Sequence, residues 1–186
     1  MKKIALILIM ILATALSVSA GEFAPKRGYR GFVSIGGTFS TSSLTYDKEK
    51  DMYDSDVSSR FTLSTVHGYQ IIPQLFVGAG AQLNWYCEGG NKSYSGKACV
   101  PLFFDIRTDI LKTKVTPVVD FRAGYSVGGI QGFYCQPAAG VRIGFRKVGL
   151  NILLGYEVQK VSKLSGEKVN IGGHLGGLNL SVGLDF

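Results

Sequence analysis

The sequence has few of the residues that build metal centres and a low share of charged residues. Its 186 residues include three cysteines and two histidines, and none of the cysteine spacings matches a zinc site. Charged residues make up 18% of the chain and hydrophobic residues 46%, which excludes a disordered tail and a coiled coil. The formal net charge is +7, but the basic residues do not gather on one face, so no nucleic-acid partner is predicted.

Long apolar runs are also missing after position 20, so no membrane helix is predicted. The apolar run at 4–16 follows Lys2 and Lys3 and precedes the small residues 17–20. It is shorter than the ~20 residues that a spanning helix needs, and this arrangement is typical of a cleaved secretory signal peptide. We predict a signal peptide at 1–20 and one domain at 21–186, without a lipid anchor because residue 21 is glycine.

The rest of the chain shows segments of about ten residues in which apolar and polar side chains alternate. Long polar connections at 40–59 and 87–97 and shorter ones at 128–132 and 159–171 alternate with tight turns at 71–73, 111–114 and 146–147. This pattern predicts an all-β fold, an eight-stranded antiparallel transmembrane β-barrel with up-and-down meander order. The segments are 29–39, 60–70, 74–86, 98–110, 115–126, 133–145, 148–158 and 172–186.

A soluble lipocalin-like barrel also has eight strands, and the distribution of aromatic and charged residues decides between the two. On the apolar face, aromatic residues fall near both ends of the segments, as the aromatic girdles of a membrane protein do. These girdle residues are Tyr29, Phe39, Phe61, Tyr69, Trp85, Tyr125, Phe133, Phe145, Tyr156 and Phe186. The opposite face carries Arg30, Asp105, Arg107, Asp109, Asp120, Arg122, Arg142, Glu157 and Asp185. Charges inside and apolar residues outside favour the membrane barrel.

The inward face also alternates many glycines with bulky residues at Phe32, Phe76, Phe103 and Tyr134. An eight-stranded barrel is only just wide enough to hold its own inward side chains. Unpaired charges in such a narrow space would be costly. We therefore predict that the inward charges pair into a salt-bridged plug, which argues against a general diffusion pore.

Several short motifs resemble, in their order and spacing, the small outer-membrane β-barrel domain family of Gram-negative bacteria that is often labelled porin-like. The resemblance covers nearly all of 21–186, and none of its motifs is a catalytic signature. The motifs are His67-Gly68-Tyr69-Gln70 with Pro73, Val77-Gly78-Ala79-Gly80, Val100-Pro101-Leu102-Phe103, Pro117 to Asp120, Ala123-Gly124-Tyr125, Gly140-Val141-Arg142, Leu154-Gly155-Tyr156 and Phe186.

The resemblance implies a place in the outer membrane, in contact with its lipid and lipopolysaccharide. The last segment is similar to the signal that the barrel assembly machinery reads during biogenesis, with Leu180, Val182, Leu184 and the terminal Phe186 on one face. Members of this family mostly lack a known individual function. We expect a monomer without a cofactor or a metal.

The three cysteines allow one disulfide. Cys87 and Cys99 flank the second long loop, but their parity places them on opposite faces, so a bridge would need a local bulge. The bridged and unbridged forms both stay open. Cys135 has outward parity and is expected to act as a small apolar residue.

Three functions are compatible with this barrel. The first is a non-enzymatic protein whose extracellular loops stabilise the envelope or bind surface partners. The second is a narrow porin for ions or small solutes. The third is a lipid A-modifying enzyme. Its catalytic site would need His174 to lie close to Ser40 or Ser42, together with an acidic residue, and the sequence places no acid clearly beside His174. The acidic first loop is expected to be a solvated surface loop rather than a calcium site.

Overall fold

The computed structural model describes residues 25–47, 52–54, 59–87, 96–145, 148–164 and 172–186. The signal peptide at 1–20, parts of the long loops and the turn at 146–147 lie outside these residues. The strands are β1 (Gly28–Asp47), β2 (Met52–Asp54), β3 (Arg60–Ile72), β4 (Leu75–Tyr86), β5 (Ala98–Asp109), β6 (Val115–Gly128), β7 (Ile130–Gly144), β8 (Gly149–Val161), β9 (Lys163–Leu164) and β10 (Gly172–Asp185).

Eight of these strands close into an antiparallel barrel. Neighbours follow the order β1, β3, β4, β5, β6, β7, β8 and β10, and β10 then pairs with β1. Closure leaves no free edge in the main sheet, which is how a sheet satisfies all its backbone donors and acceptors without water. The predicted eight-stranded meander is confirmed. None of the described residues forms a helix long and apolar enough to cross a membrane.

The alternation in the sequence becomes the two faces of the barrel wall. In β5, buried and exposed residues alternate from Cys99 to Asp109, because successive side chains of a strand point to opposite faces. We call the end of the barrel with the short connections at 73–74 and 110–114 the turn end. The opposite end, where the 47–59 and 87–98 connections lie, is the loop end.

Three strand ends differ from the sequence prediction by three residues or more, and one of them is the end of β8, at Val161 rather than at 158. β1 continues to Asp47, eight residues past the predicted end, because it pairs with β10 as far as Tyr46 and with the short β2. β7 begins at Ile130 rather than at 133, and a tight turn replaces the predicted loop. Gly128 adopts a φ of 100° in this turn, a conformation that glycine tolerates at little steric cost.

Glycines on the inner face let neighbouring strands approach closely. A Cβ atom placed on Gly140 would collide with the backbone carbonyl of Ile152 and lie 2.8 Å from the Leu153 Cα. Such contacts involve rigid backbone atoms, so they cannot be relieved by rotating a side chain. The lumenal glycines therefore fix how tightly the wall can coil around the packed interior.

Replacing Gly140 by leucine should destabilise the barrel by at least ~2 kcal/mol, because an overpacked side chain forces the backbone to move. Urea-induced unfolding of the refolded protein in lipid vesicles measures the loss. The matched control is Ala139→Leu, since Ala139 is the next residue and lies exposed on the outer face. Equal stability of the two variants would contradict the close approach of β7 and β8.

Candidate functional site

The candidate site is the lumen, where polar and charged side chains are buried in place of an apolar core. Among the described residues, 24 buried residues are polar or charged and 12 are hydrophobic, whereas 30 large hydrophobic residues are exposed. Soluble proteins bury charged side chains only rarely. This distribution of polar and apolar residues is the reverse of that in a soluble protein, so the buried polar and charged groups of the interior are the candidate functional groups.

At the turn end, Asp185 on β10 holds two arginines. Arg142 donates from Nε to Asp185 Oδ2 at 2.6 Å, and Arg30 donates to the same carboxylate. Arg30 also reaches Asp109 Oδ2 at 3.0 Å and Gln70 Oε1 at 2.8 Å. These contacts join strands β1, β3, β5, β7 and β10 across the lumen. One carboxylate therefore connects the strands on both sides of the β1–β10 seam.

Further along the axis, two arginines and two aspartates from β5 and β6 form a second group. Arg122 Nη2 lies 3.3 Å from Asp120 Oδ2, and Arg122 Nε lies 3.8 Å from Asp105 Oδ2. Arg107 Nη1 lies 3.9 Å from Asp120 Oδ2, and its Nη2 donates to the Asn151 amide oxygen on β8. The group therefore links β5 and β6 to β8 inside the lumen.

At the loop end, Glu157 on β8 forms an ion pair with Arg60 and accepts hydrogen bonds from two other side chains. Arg60 Nη2 lies 3.2 Å from Glu157 Oε1, Asn84 donates to the same oxygen at 2.7 Å, and Thr38 donates to Oε2 at 3.0 Å. The Arg60 and Glu157 side chains have no exposed surface. The guanidinium also lies 5.4 Å from the centre of the Tyr86 ring, within the range of a cation–π contact.

Arg60 is a lumenal residue that the sequence reasoning missed. Phe61 was assigned to the outer girdle, so strict alternation would have placed Arg60 inside. Arg60 is the first residue of its segment and follows a polar loop, so the alternation that identifies an inward residue is weak there. With Arg60 included, the described part of the chain buries five arginines and five carboxylates, so the formal charges balance.

Aromatic rings separate the charged groups. Phe32 lies between Arg30 and Arg107, each 4.6 Å from its ring centre, and it packs edge-on against Phe76 with 4.9 Å between centroids. Phe103 packs against Tyr134 at 5.8 Å. All four predicted bulky residues are buried in one cluster with Val66. Rings of this kind lower the cost of burying guanidinium groups.

A second cluster fills the loop end with Tyr86, Cys99, Ile130, Val161 and Leu175. This apolar layer was not predicted, because Ile130 and Val161 lie in segments assigned to connections. Below it, between Arg107, Arg122 and Asn151, a cavity of about 10 Å³ remains, which is room for about one water molecule. Described side chains therefore occupy the lumen at the turn end, at the loop end and between them.

Of the two forms left open by the sequence, the structure has the unbridged one, and all three cysteines are free thiols. Cys87 is exposed whereas Cys99 is buried in the loop-end cluster. The two lie on opposite faces of the wall, as their parity indicated, and no bulge brings them together. Cys135 is half-buried on the outer face.

The structure exposes nine of the ten predicted girdle residues on the outer face, and Tyr156 is half-buried there. At the loop end, cross-strand pairing places Phe61 opposite Trp85 and Tyr125 opposite Phe133. Two further aromatic residues, Phe104 and Phe121, are exposed on the outer face between the two girdle levels.

Of the residues considered for catalysis, the structure describes the side chain of His174, whereas those of Ser40 and Ser42 lie outside the described residues. His174 is exposed and its backbone pairs with Leu44. Ser42 pairs with Gly176, and Ser40 with Gly177. No group of three or more His, Cys, Asp or Glu residues that could hold a metal ion occurs in the described ranges. Most of the acidic first loop, 48–51 and 55–58, lies outside them.

The same architecture occurs in a solved protein. The crystal structure of neisserial surface protein A matches with a TM-score of 0.55 at 15% identity, over 90% of this chain and 97% of that one. This chain shares its fold. A scan against family models and a search of characterised proteins both find no match. The likeness concerns the barrel, and the function has to be argued from the chain's own residues.

Proposed function

We propose that the chain is a non-enzymatic integral outer-membrane protein of a Gram-negative bacterium, exported by the signal peptide at 1–20. The observation that carries this proposal is the apolar outer wall. Thirty large hydrophobic side chains of the described residues are exposed around a barrel whose interior is charged. Monomeric soluble proteins rarely expose a contiguous apolar patch larger than a few hundred Å². A closed barrel with such a wall is the β-structure that spans a membrane.

The lengths of the connections support one orientation of the barrel. In outer-membrane barrels, short turns face the periplasm and longer loops face the outside. The turn end, with Asp185 and Arg142, therefore faces the periplasm, and the loop end faces the exterior. We propose that the outer loops stabilise the envelope or bind surface partners. Lys97 and Lys160, near the loop end, are placed to attract lipopolysaccharide phosphates.

The filled lumen favours a closed barrel over a narrow porin. Refolded residues 21–186 should insert into a planar lipid bilayer without producing conductance steps, because ion pairs, rings and the loop-end cluster occupy the lumen. Single-channel recording measures this, and heat-modifiable migration on a gel verifies folding in the same preparation. Reproducible conductance steps would overturn the closed barrel and favour the porin. Failure to insert would overturn the membrane location itself.

A further inference from the structure

Outside the lumen, the excess positive charge of the chain lies at the turn end. The segment 23–27 before β1 and the connections at 73–74, 110–114 and 145–148 contain six basic residues and no acidic one. These residues are Lys26, Arg27, Lys112, Lys114, Arg146 and Lys147, of which the last two lie outside the described residues. We call the first four the basic rim.

The rest of the chain contributes none of the excess charge. The lumen holds five arginines and five carboxylates. The remaining residues from position 23 onwards include seven lysines and seven acidic residues, at or near the loop end. Loss of Lys2 and Lys3 with the signal peptide lowers the formal net charge from +7 to +5, and Glu22 is the only acidic residue before β1. The positive charge of the predicted mature chain therefore belongs to one end of the barrel.

Three of the four rim residues are exposed, without an acidic partner in the described part of the chain. Lys26, Arg27 and Lys112 are exposed, and Lys114 is half-buried. No ion pair among the described residues includes any of the three exposed ones. A surface with one sign of charge attracts ions and molecules of the opposite sign. The basic rim therefore fits an anionic partner.

The basic rim lies beside the turn-end girdle. Arg27 comes two residues before the girdle residue Tyr29. At the other turn, Gly144 N donates to the Lys114 carbonyl at 2.6 Å, so the 110–114 connection lies next to the girdle residue Phe145. Aromatic girdles lie at the level of the lipid headgroups, and the turn connections continue from there away from the membrane centre. Long basic side chains at this level extend their charged ends to the interface, where the lipid phosphates lie.

The rim residues lie on nearly opposite sides of the barrel. Lys26 and Arg27 precede β1, whereas Lys112 and Lys114 connect β5 to β6. In the closed order of eight strands, β3 and β4 separate the two groups on one side, and β7, β8 and β10 separate them on the other. A macromolecule would have to span the end of the barrel to contact both groups. The headgroups of the surrounding leaflet reach each group from its own side, which favours lipid as the partner.

We propose that the basic rim binds anionic phospholipids of the leaflet at the turn end, an inference that rests on the proposed membrane location. Ammonium and guanidinium groups both bind phosphate through charge-assisted hydrogen bonds. Attraction to an anionic membrane surface changes affinity roughly five-fold for each basic residue near it. The leaflet next to the rim is therefore enriched in anionic lipid relative to the rest of the membrane.

The test measures which lipid lies next to the rim. Residues 21–186 with Tyr69→Trp and Trp85→Phe carry one tryptophan, opposite Tyr29 in the register of β1 and β3 and close to Arg27. This parent protein is refolded in vesicles of phosphatidylcholine and phosphatidylglycerol, in which one lipid or the other carries bromine on its acyl chains and quenches the fluorescence. We expect phosphatidylglycerol to be enriched at least about three-fold at the tryptophan over its share in the vesicle.

Lys26→Gln with Arg27→Gln should lower this enrichment at least about two-fold, because both charges next to the reporter are lost. Molar sodium chloride should weaken it as well, since salt screens exposed charges. The matched control is Lys97→Gln with Lys160→Gln, which removes two charges near the loop end and should leave the enrichment unchanged. Equal enrichment in the two double variants, or none in the parent protein, would overturn the inference.

Two further measurements separate the alternatives. If no lipid is enriched but the detergent-solubilised protein sediments with purified peptidoglycan, and Lys26→Gln with Arg27→Gln does not, the partner is the cell wall and the lipid inference is wrong. Heat-modifiable migration shows whether each variant inserts. A barrel that inserts without enrichment of anionic lipid contradicts only the inference about the basic rim, whereas failure of the parent protein to insert contradicts the membrane location.

Discussion

Asp185→Asn should destabilise the inserted barrel by about 3–5 kcal/mol, the usual cost of removing one partner from a buried ion pair. Asp185 is almost completely buried and receives hydrogen bonds from both Arg30 and Arg142. An asparagine has nearly the same shape but no charge and presents an N–H₂ group to one guanidinium. Arg30 would then keep only Asp109 as a charged partner, and Arg107 already lies 3.8 Å from that carboxylate.

The position of Asp185 enlarges this effect. It is opposite Phe32 in the register that joins β10 to β1, so its arginine contacts reinforce the seam that closes the barrel. The free energy of unfolding is obtained from urea titrations in lipid vesicles, followed by the fluorescence of Trp85, the only tryptophan of the chain. Trp85 is exposed on the outer wall, where unfolding transfers it from lipid to water.

The control for Asp185→Asn is Lys160→Gln, which removes one charge from an exposed side chain. Exposed charges contribute little to stability, so this variant should unfold at nearly the wild-type urea concentration. A loss of less than ~1 kcal/mol in Asp185→Asn would contradict the role of the turn-end ion pairs. It would mean that water or a rearranged side chain satisfies both arginines.

The sequence predicts the wall better than the ends of the strands. Alternation predicts a segment at every barrel strand and gives the predicted lumenal charges one common face, because a slip of one residue in register would turn each inward arginine to the outer face. The boundary of β1 is missed where the pattern fades into a polar run at 40–43. The strand continues there because residues of β10 pair with it along the backbone. Pairing between strands that are distant in sequence does not produce a local pattern that could be recognised.

Contacts between strands are the part of the site that parity alone cannot provide. Alternation places Tyr29 and His67 on the outer face, but only the register of β1 against β3 brings them into contact across 38 residues. The same holds for Arg60 and Glu157, which lie on β3 and β8. Which arginine pairs with which carboxylate depends on the shear of the closed barrel, a property of the whole sheet.

The Arg60–Glu157 pair provides the second large effect, and here a double-mutant cycle separates the pair from its surroundings. Arg60→Met removes the guanidinium and leaves the Glu157 carboxylate fully buried, with Thr38 and Asn84 as its remaining partners. We expect a loss of about 3–5 kcal/mol. Glu157→Gln should cost a similar amount, because it leaves the Arg60 guanidinium in the lumen without a counter-charge.

The double variant Arg60→Met with Glu157→Gln should be more stable than the sum of the two single losses by about 1–3 kcal/mol, the range for residues in direct contact. The glutamine can still accept from Asn84 or Thr38, and methionine fills the space of the arginine stem without a buried charge. Urea titration in lipid vesicles measures all four corners of the cycle. If the stability losses of the two single variants simply add in the double variant, the two groups do not interact. The apolar packing of the loop-end cluster would then be the main stabilising contribution at this end of the lumen.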